Sequence, residues 1–271
     1  MTTRPSRLVL LGHPVHHSRS PLFQNAALRA CGVPIGYEAL DVAPAKLESC
    51  LAALVAERAA GNVTIPHKER VASLCAHRTP VAERAGAVNV FWVDDRGALA
   101  GDNTDVGGFE AMVRALLGQS PRDLRVALLG AGGAAAAVLT AVERWPGCAV
   151  TIWNRGAARA HRMAERHPAV EGIARTAAAA ARGARLVVNA TPVGLHDDAL
   201  PLPLDALAPG AAVADLVYRP GETAWVRGAR ANGHPAADGR AMLVEQGALA
   251  FERWLGIPAP REVMRRALAG A

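Results

Sequence analysis

Residues 125–142 read RVALLGAGGAAAAVLTAV, and the parsing of that stretch decides the fold. Val126 to Leu129 form an apolar run of strand length. Gly130, Gly132 and Gly133 interrupt it, and the alanine-rich continuation carries no β-branched residue before Val138. An apolar run that ends in glycines and resumes in helix formers reads as strand, tight turn and helix. Further β-rich runs follow at CAVTIWNR (148–155), RLVVNATP (185–192) and AAVADLVY (211–218), separated by helical stretches. That alternation predicts an α/β fold with a parallel sheet wound on both faces, a Rossmann-type nucleotide-binding unit.

Glycines at such a turn let the backbone bend sharply and bring helix N-terminal N–H groups onto a pyrophosphate. The spacing is GxGGA, not the commoner GxGxxG, so the motif alone is a weak signal; the strand before it and the helix after it carry the reading. The end of the following strand is where the adenosine ribose is read. An NAD site places an acidic residue there to accept from the 2′-hydroxyl, whereas this chain has WNRGAAR, with Arg155 and Arg159. Two guanidiniums suit a 2′-phosphate through charge-assisted bidentate bonds, against the alternative of two solvated residues at a helix start. The expected cofactor is NADP.

Outward from this unit, the first hundred residues alternate again. Strands are expected at 7–11, 36–41 and 62–65 and helices near 21–31 and 44–59. A hairpin with DDRG (94–97) at its tip joins runs at 88–93 and 98–101, and the last thirty residues are helical from about Arg240. A chain of 271 residues exceeds one typical domain, so two are expected: 1–105 with 239–271, and 106–238 as the nucleotide unit.

The composition, 51% hydrophobic and 20% charged, is that of a folded globular protein. No apolar run reaches the roughly 20 residues needed to cross a bilayer, and no export signal precedes RLVLLG (7–12). Cys31, Cys50, Cys75 and Cys148 lack CxxC or metal-ligand spacing, which reads as thiols in a reducing cytoplasm. The net charge of +6 is spread through Ala/Arg-rich helices without a basic run, so an anionic small molecule is expected and nucleic acid is not. His13, His16 and His17 in HPVHH have no accompanying carboxylate or cysteine cluster in sequence, and no metal is expected.

NVTIPHK (62–68) runs a strand into Pro66 and delivers Lys68, and GDNTD (101–105) places Asp105 before a helix. Taken singly, Lys68 reads as a surface lysine and Asp105 as a helix cap. Taken together, a lysine after one strand and an aspartate after another can converge at the carboxyl edge of a sheet, where open α/β folds bind ligands.

The chain resembles the shikimate dehydrogenases over nearly its whole length. The likeness rests on GHPVHHSRSP (12–21), NVTIPHK, GAVNV (86–90), GDNTD, GAGGA (130–134), WNR (153–155), NATPVGL (189–195), DLVYRP (215–220) and GRAMLVEQGALAFERWLG (239–256), in that order. The resemblance implies NADP-linked reduction of 3-dehydroshikimate to shikimate in aromatic amino-acid biosynthesis, with the N-terminal domain and C-terminal helices binding the substrate. Lys68 and Asp105 are then the catalytic pair, the lysine protonating the alkoxide that forms at C3. Ser18 and Ser20 would hold the carboxylate, although Ser20 before Pro21 also reads as an ordinary N-cap. Thr64, Asn89 and Gln246 would meet the ring hydroxyls; Tyr218 would reach the carboxylate, or be a tyrosine bonded to backbone.

On the cofactor side the resemblance assigns the whole turn, Ala131 and Ala134 included, and Asn154 beside the two arginines. Asn189, Thr191 and Pro192 would pass under the cofactor, and Gly239 and Met242 would bracket the nicotinamide. The chain departs from the family pattern at Arg19 for Leu, Gln24 for His, Val90 for Thr, Gly156 for Thr and Ala136 for Arg. Val90 then removes a hydroxyl near the substrate and Gly156 one near the 2′-phosphate. A quinate or aminoshikimate paralogue and a non-catalytic sensor of the same ligands are the alternatives; the assembly expected is a monomer or homodimer.

Overall fold

The structure, a computed structural model, describes residues 4–270. Contacts divide the chain into two compact units, Met1–Gly108 with Leu243–Ala271, and Phe109–Met242. Both divisions fall inside continuous helices, a few residues beyond the turn signals that set the expected limits.

The first unit begins with β1 (Leu8–Gly12), α1 (Ser20–Ala30), β2 (Tyr37–Asp41), α2 (Leu47–Ala56) and β3 (Ala60–Val63). It continues with α3 (Lys68–Leu74), β4 (His77–Arg78), α4 (Pro80–Ala85), β5 (Val90–Val93), β6 (Leu99–Asp102) and the start of α5 (Thr104–Leu117). All five residues of β1 are buried, which is why it reads as an unbroken apolar run: helices cover both faces of the sheet. The strand order is β2-β1-β3-β5-β6-β4. β1 lies parallel to β2 and β3, but β5 is antiparallel to β3 and to β6, so the sheet is mixed and not parallel throughout. The cause is the hairpin at Asp94–Gly97, where the Asp94 carboxylate accepts the N–H groups of Arg96 and Ala98.

One consequence positions the site. The carboxyl ends of β1, β3 and β6 and the amino end of β5 meet at a single edge, because β5 alone of the four runs the other way. The strand expected at 62–65 ends at Val63, two residues early: Pro66 offers no N–H to a ladder, and Ile65 is 74% exposed.

The second unit contains β7 (Arg125–Leu129), α6 (Gly133–Val142), β8 (Ala149–Trp153), α7 (Ala157–Arg166), β9 (Val170–Ile173), α8 (Ala177–Ala181), β10 (Leu186–Asn189), β11 (Ala212–Asp215), α9 (Ala224–Ala231) and β12 (Ala236–Ala237). The sheet, in the order β12-β11-β10-β7-β8-β9, is parallel at every pairing. The order reverses between β7 and β10, and that switch point is where such sheets bind nucleotides. The chain then returns to the first unit through α10 (Arg240–Leu255) and ends in α11 (Arg261–Ala269), which packs on α1. Within the first unit Gln24 of α1 donates to the Gly247 carbonyl of α10 at 2.9 Å.

Candidate active site

At the shared edge of the first sheet, Lys68 opens α3 and Asp105 lies in the first turn of α5. Lys68 Nζ donates to Asp105 Oδ2 at 2.6 Å, with the side chains 17% and 9% exposed. Asn89, just ahead of β5, donates to the other carboxylate oxygen at 2.8 Å, and its own Oδ1 accepts the Thr104 N–H at 2.7 Å. Gln246, on α10, accepts from Asn89 at 3.3 Å and donates to the Leu243 carbonyl. Residues 68, 89, 105 and 246 therefore form one hydrogen-bonded group, with the lysine held on one carboxylate oxygen and the asparagine on the other. Thr64 leaves β3 beside Gly12 at the end of β1, the strand that leads into Ser18 and Ser20.

Two local roles differ from expectation. Asp105 does not cap α5: its N–H is taken by Asn103 Oδ1 at 3.1 Å, which leaves the Asp105 carboxylate for Lys68. Ser20 is not an N-cap either. It is the first residue of α1, Arg19 occupies the cap position, and Ser18 Oγ accepts the Ser20 N–H at 3.3 Å, because Pro21 advances the helix by one residue. Val90 has no exposed surface and belongs to the core cluster that holds Phe23, Val244 and Ala248.

The sequence also missed the hydrogen bond between His13 Nδ1 and the Asp41 carboxylate at 2.5 Å, which brings a carboxylate to HPVHH from 28 residues away. Bonding to His13 holds the Asp41 carboxyl below its ordinary range. Among the described residues no group of three or more metal-type donors is present.

In the second unit Gly130 follows β7 at φ +116°, and a Cβ there would lie 2.7 Å from the Ala190 carbonyl oxygen. A Cβ at Gly132 would meet nothing within 4 Å, and α6 starts with no side-chain cap on its amides. The turn is thus open in front of a helix N-terminus, as a pyrophosphate requires. Arg155 follows β8 and Arg159 lies in the first turn of α7. Both are exposed, and among the described residues neither guanidinium has an ion-pair or hydrogen-bond partner. Asn154 turns its amide onto the Gly156 carbonyl at 2.9 Å. These residues fit NADP: an open amide-lined turn for the pyrophosphate, and two uncommitted guanidiniums at the ribose end.

Asn189 ends β10 and is fully buried, Thr191 is partly exposed and Pro192 exposed. Gly239 precedes α10, where a Cβ would stand 2.4 Å from the Leu216 carbonyl oxygen; Met242, in the first turn, is buried. Tyr218 is partly buried in the segment after β11. Two further residues of this edge were given no role from the sequence, although Asp215 opens the DLVYRP motif. Asp215 is fully buried, and burial pushes its carboxyl up despite bonds from Thr223, Val217 and Asn189. Thr223 caps α9 through the Val226 N–H.

A lysine–aspartate pair on one sheet edge and an NADP-type turn on another define an NADP-linked oxidoreductase of the two-domain α/β type. Residues 10–91 match the shikimate dehydrogenase substrate binding domain and residues 239–269 the shikimate 5′-dehydrogenase C-terminal domain. The shikimate dehydrogenase (NADP(+)) of Rubrobacter xylanophilus is 44% identical over 96% of this chain and 94% of its own. Shikimate dehydrogenase from Aquifex aeolicus superposes with a TM-score of 0.91 at 31% identity, covering 97% of each chain. Shikimate 5-dehydrogenase from Thermus thermophilus, in complex with NADP(H) and shikimate, does so at 0.86 and 39% identity, over 96% of this chain and 97% of that one. The chain belongs to the shikimate dehydrogenase family.

Proposed function

We propose that the protein catalyses the reversible, NADP-linked reduction of 3-dehydroshikimate to shikimate, with Lys68 and Asp105 as its catalytic pair. The observation that carries the reading is the 2.6 Å contact between Lys68 Nζ and Asp105 Oδ2, largely withdrawn from solvent at a strand edge. Bound NADPH supplies the hydride. Reduction of a ketone leaves an alkoxide that needs a proton, and an ammonium has three hydrogens, one of which Asp105 occupies. The others are available to the substrate oxygen, and the negative charge of Asp105 holds the ammonium in place while Asn89 fixes the carboxylate.

Ser18, Ser20 and Tyr218 bind the substrate carboxylate in this reading, and Thr64, Asn89 and Gln246 its hydroxyls. Residues 130–134 hold the pyrophosphate, Asn154, Arg155 and Arg159 the 2′-phosphate, and Asn189, Thr191, Pro192, Gly239 and Met242 the nicotinamide half. Four free thiols are in keeping with a reducing cytoplasm.

The test is steady-state turnover of shikimate and of quinate with NADP⁺ and NAD⁺, by the native protein and by Lys68→Ala. Shikimate turnover with NADP⁺ preferred, lost in the variant, supports the assignment. Turnover of quinate alone would replace the substrate, preference for NAD⁺ would replace the cofactor, and no turnover at all would leave a ligand sensor.

A further inference from the structure

The strand β10 lies on the opposite side of β7 from β8, whose end carries the arginines that read the adenosine ribose. The loop after β10 therefore serves the nicotinamide half of the cofactor. Its hydrogen bonds have a fixed direction that begins in the core. Asp215 Oδ1 takes the Val217 N–H at 3.1 Å and the Asn189 side-chain amide at 2.8 Å, and Oδ2 takes the Thr223 hydroxyl at 2.7 Å. A backbone N–H cannot accept, so Oδ1 is an acceptor whichever protonation state the carboxyl has.

Asn189 gives its two amide hydrogens to Asp215 and to the Val193 carbonyl at 3.2 Å, which turns its oxygen the other way. That oxygen accepts both the N–H of Thr191, at 3.0 Å, and its hydroxyl, at 2.6 Å. Every hydrogen-bonding position of the amide is filled, so it cannot flip without breaking the set. The single hydroxyl proton of Thr191 is committed to Asn189, and one of its lone pairs takes the Val193 N–H at 3.3 Å. What remains on Thr191 Oγ1 is one lone pair. The side chain is partly exposed and stands beside the glycine turn, its Cγ2 3.2 Å from where a Cβ on Gly130 would lie.

We propose that Thr191 Oγ1 is an acceptor-only contact to the cofactor, its polarity set by the Asp215–Asn189 chain, and that it selects a group with a hydrogen to donate. Two parts of the nicotinamide half have one: the carboxamide N–H and the ribose hydroxyls. The inference rests on the NADP reading above and names a determinant within that site; Asp215 is a positioning residue that acts through Asn189.

The experiment measures dissociation constants by calorimetry for NADP⁺, for its acetylpyridine analogue, which has a ketone and no carboxamide N–H, and for analogues lacking the 2′- or 3′-hydroxyl of the nicotinamide ribose. The native protein is expected to bind one of these about tenfold more weakly than NADP⁺, and which one identifies the donor. Thr191→Val, nearly isosteric, should erase that difference and Thr191→Ser should keep it. Asp215→Leu removes the acceptor that orients the Asn189 amide and should shrink the difference. Analogues that all bind the native protein as NADP⁺ does, or a difference that persists in Thr191→Val, would overturn the proposal. Full discrimination in Asp215→Leu would overturn the role of Asp215. A native protein that binds no NADP⁺ would instead overturn the cofactor reading itself.

Discussion

Replacing Lys68 by methionine keeps the length of the stem and removes the charge, and two magnitudes follow from its surroundings. The first is stability. Stripping one partner from a buried ion pair costs about 3–5 kcal/mol because the other charge is left uncompensated. Here the lysine side chain is 17% exposed and Asp105 keeps the Asn89 hydrogen bond at 2.8 Å, so a loss nearer about 2 kcal/mol is expected. The second is catalysis. Removing a positioned general acid lowers kcat by roughly 10²–10⁴, equivalent to about 3–5 kcal/mol of transition-state stabilisation.

The two are separable. Urea denaturation reads the first, and NADPH formation from shikimate reads the second, with KM for shikimate as the control for binding. A fall in kcat of at least a hundredfold in a protein that is still folded at the assay temperature, with KM changed much less, is the expected result. A kcat within tenfold of the native value would refute the assignment of Lys68 as the proton donor. A rise in KM with kcat little changed would instead make Lys68 a binding residue.

Three other perturbations test separate parts of the structure. Arg155→Gln with Arg159→Gln should raise KM for NADP⁺ by about tenfold per guanidinium while leaving NAD⁺ kinetics nearly unchanged; equal losses with both cofactors would remove the 2′-phosphate role. Gly239→Ala puts a Cβ 2.4 Å from the Leu216 carbonyl oxygen, a backbone atom that cannot swing away, so melting temperature and NADP⁺ affinity should both fall, and a variant with native values of both would contradict the packing. Burial raises the Asp215 carboxyl above its ordinary value of 3.8, so the native state binds more protons there than the unfolded chain. Its contribution to stability is greatest below the ordinary value and declines as pH rises from there through the raised value. The stability of the native protein relative to Asp215→Asn, followed by urea denaturation, should decline across that window; a flat or rising difference counts against the burial argument.

What the sequence made legible is local. The strand, glycine turn and helix of 125–142 announce themselves by spacing, and Arg155 and Arg159 fall beyond the end of the next strand, where folds of this type read the ribose. The hairpin around Asp94–Gly97 is likewise carried by residues adjacent in the chain. Illegible were the features made by residues far apart in sequence: the His13–Asp41 pair, the Gln24 contact to α10, and the antiparallel pairing of β5 with β3 that places the hairpin in the same sheet as β1 and β2. Periodicity reports that a segment is a strand and says nothing of its neighbour.

The pentapeptide Gly101–Asp105 lies between these cases, and its residues divide the labour in a way that explains why Asp105 is free to act. Asp102 anchors the exit of β6 by accepting from Thr79, from Arg253 at 2.8 Å and from the Asn103 N–H at 2.7 Å. Arg253 is in turn stacked over Trp92, 5.3 Å from the ring centre, so the anchor ties β6 to α10. Asn103 then meets the need of the helix start by accepting the Asp105 N–H, and its amide is fixed in that sense by donation to the Ala87 carbonyl at 2.9 Å. Thr104 donates its N–H to Asn89, whose amide holds one oxygen of Asp105 while the other meets Lys68. An aspartate at a helix start ordinarily spends its side chain on the helix. Because Asn103 caps in its place, the Asp105 carboxylate faces a lysine 37 residues away in sequence, and a stretch that reads as a cap becomes half of the proposed proton-transfer pair.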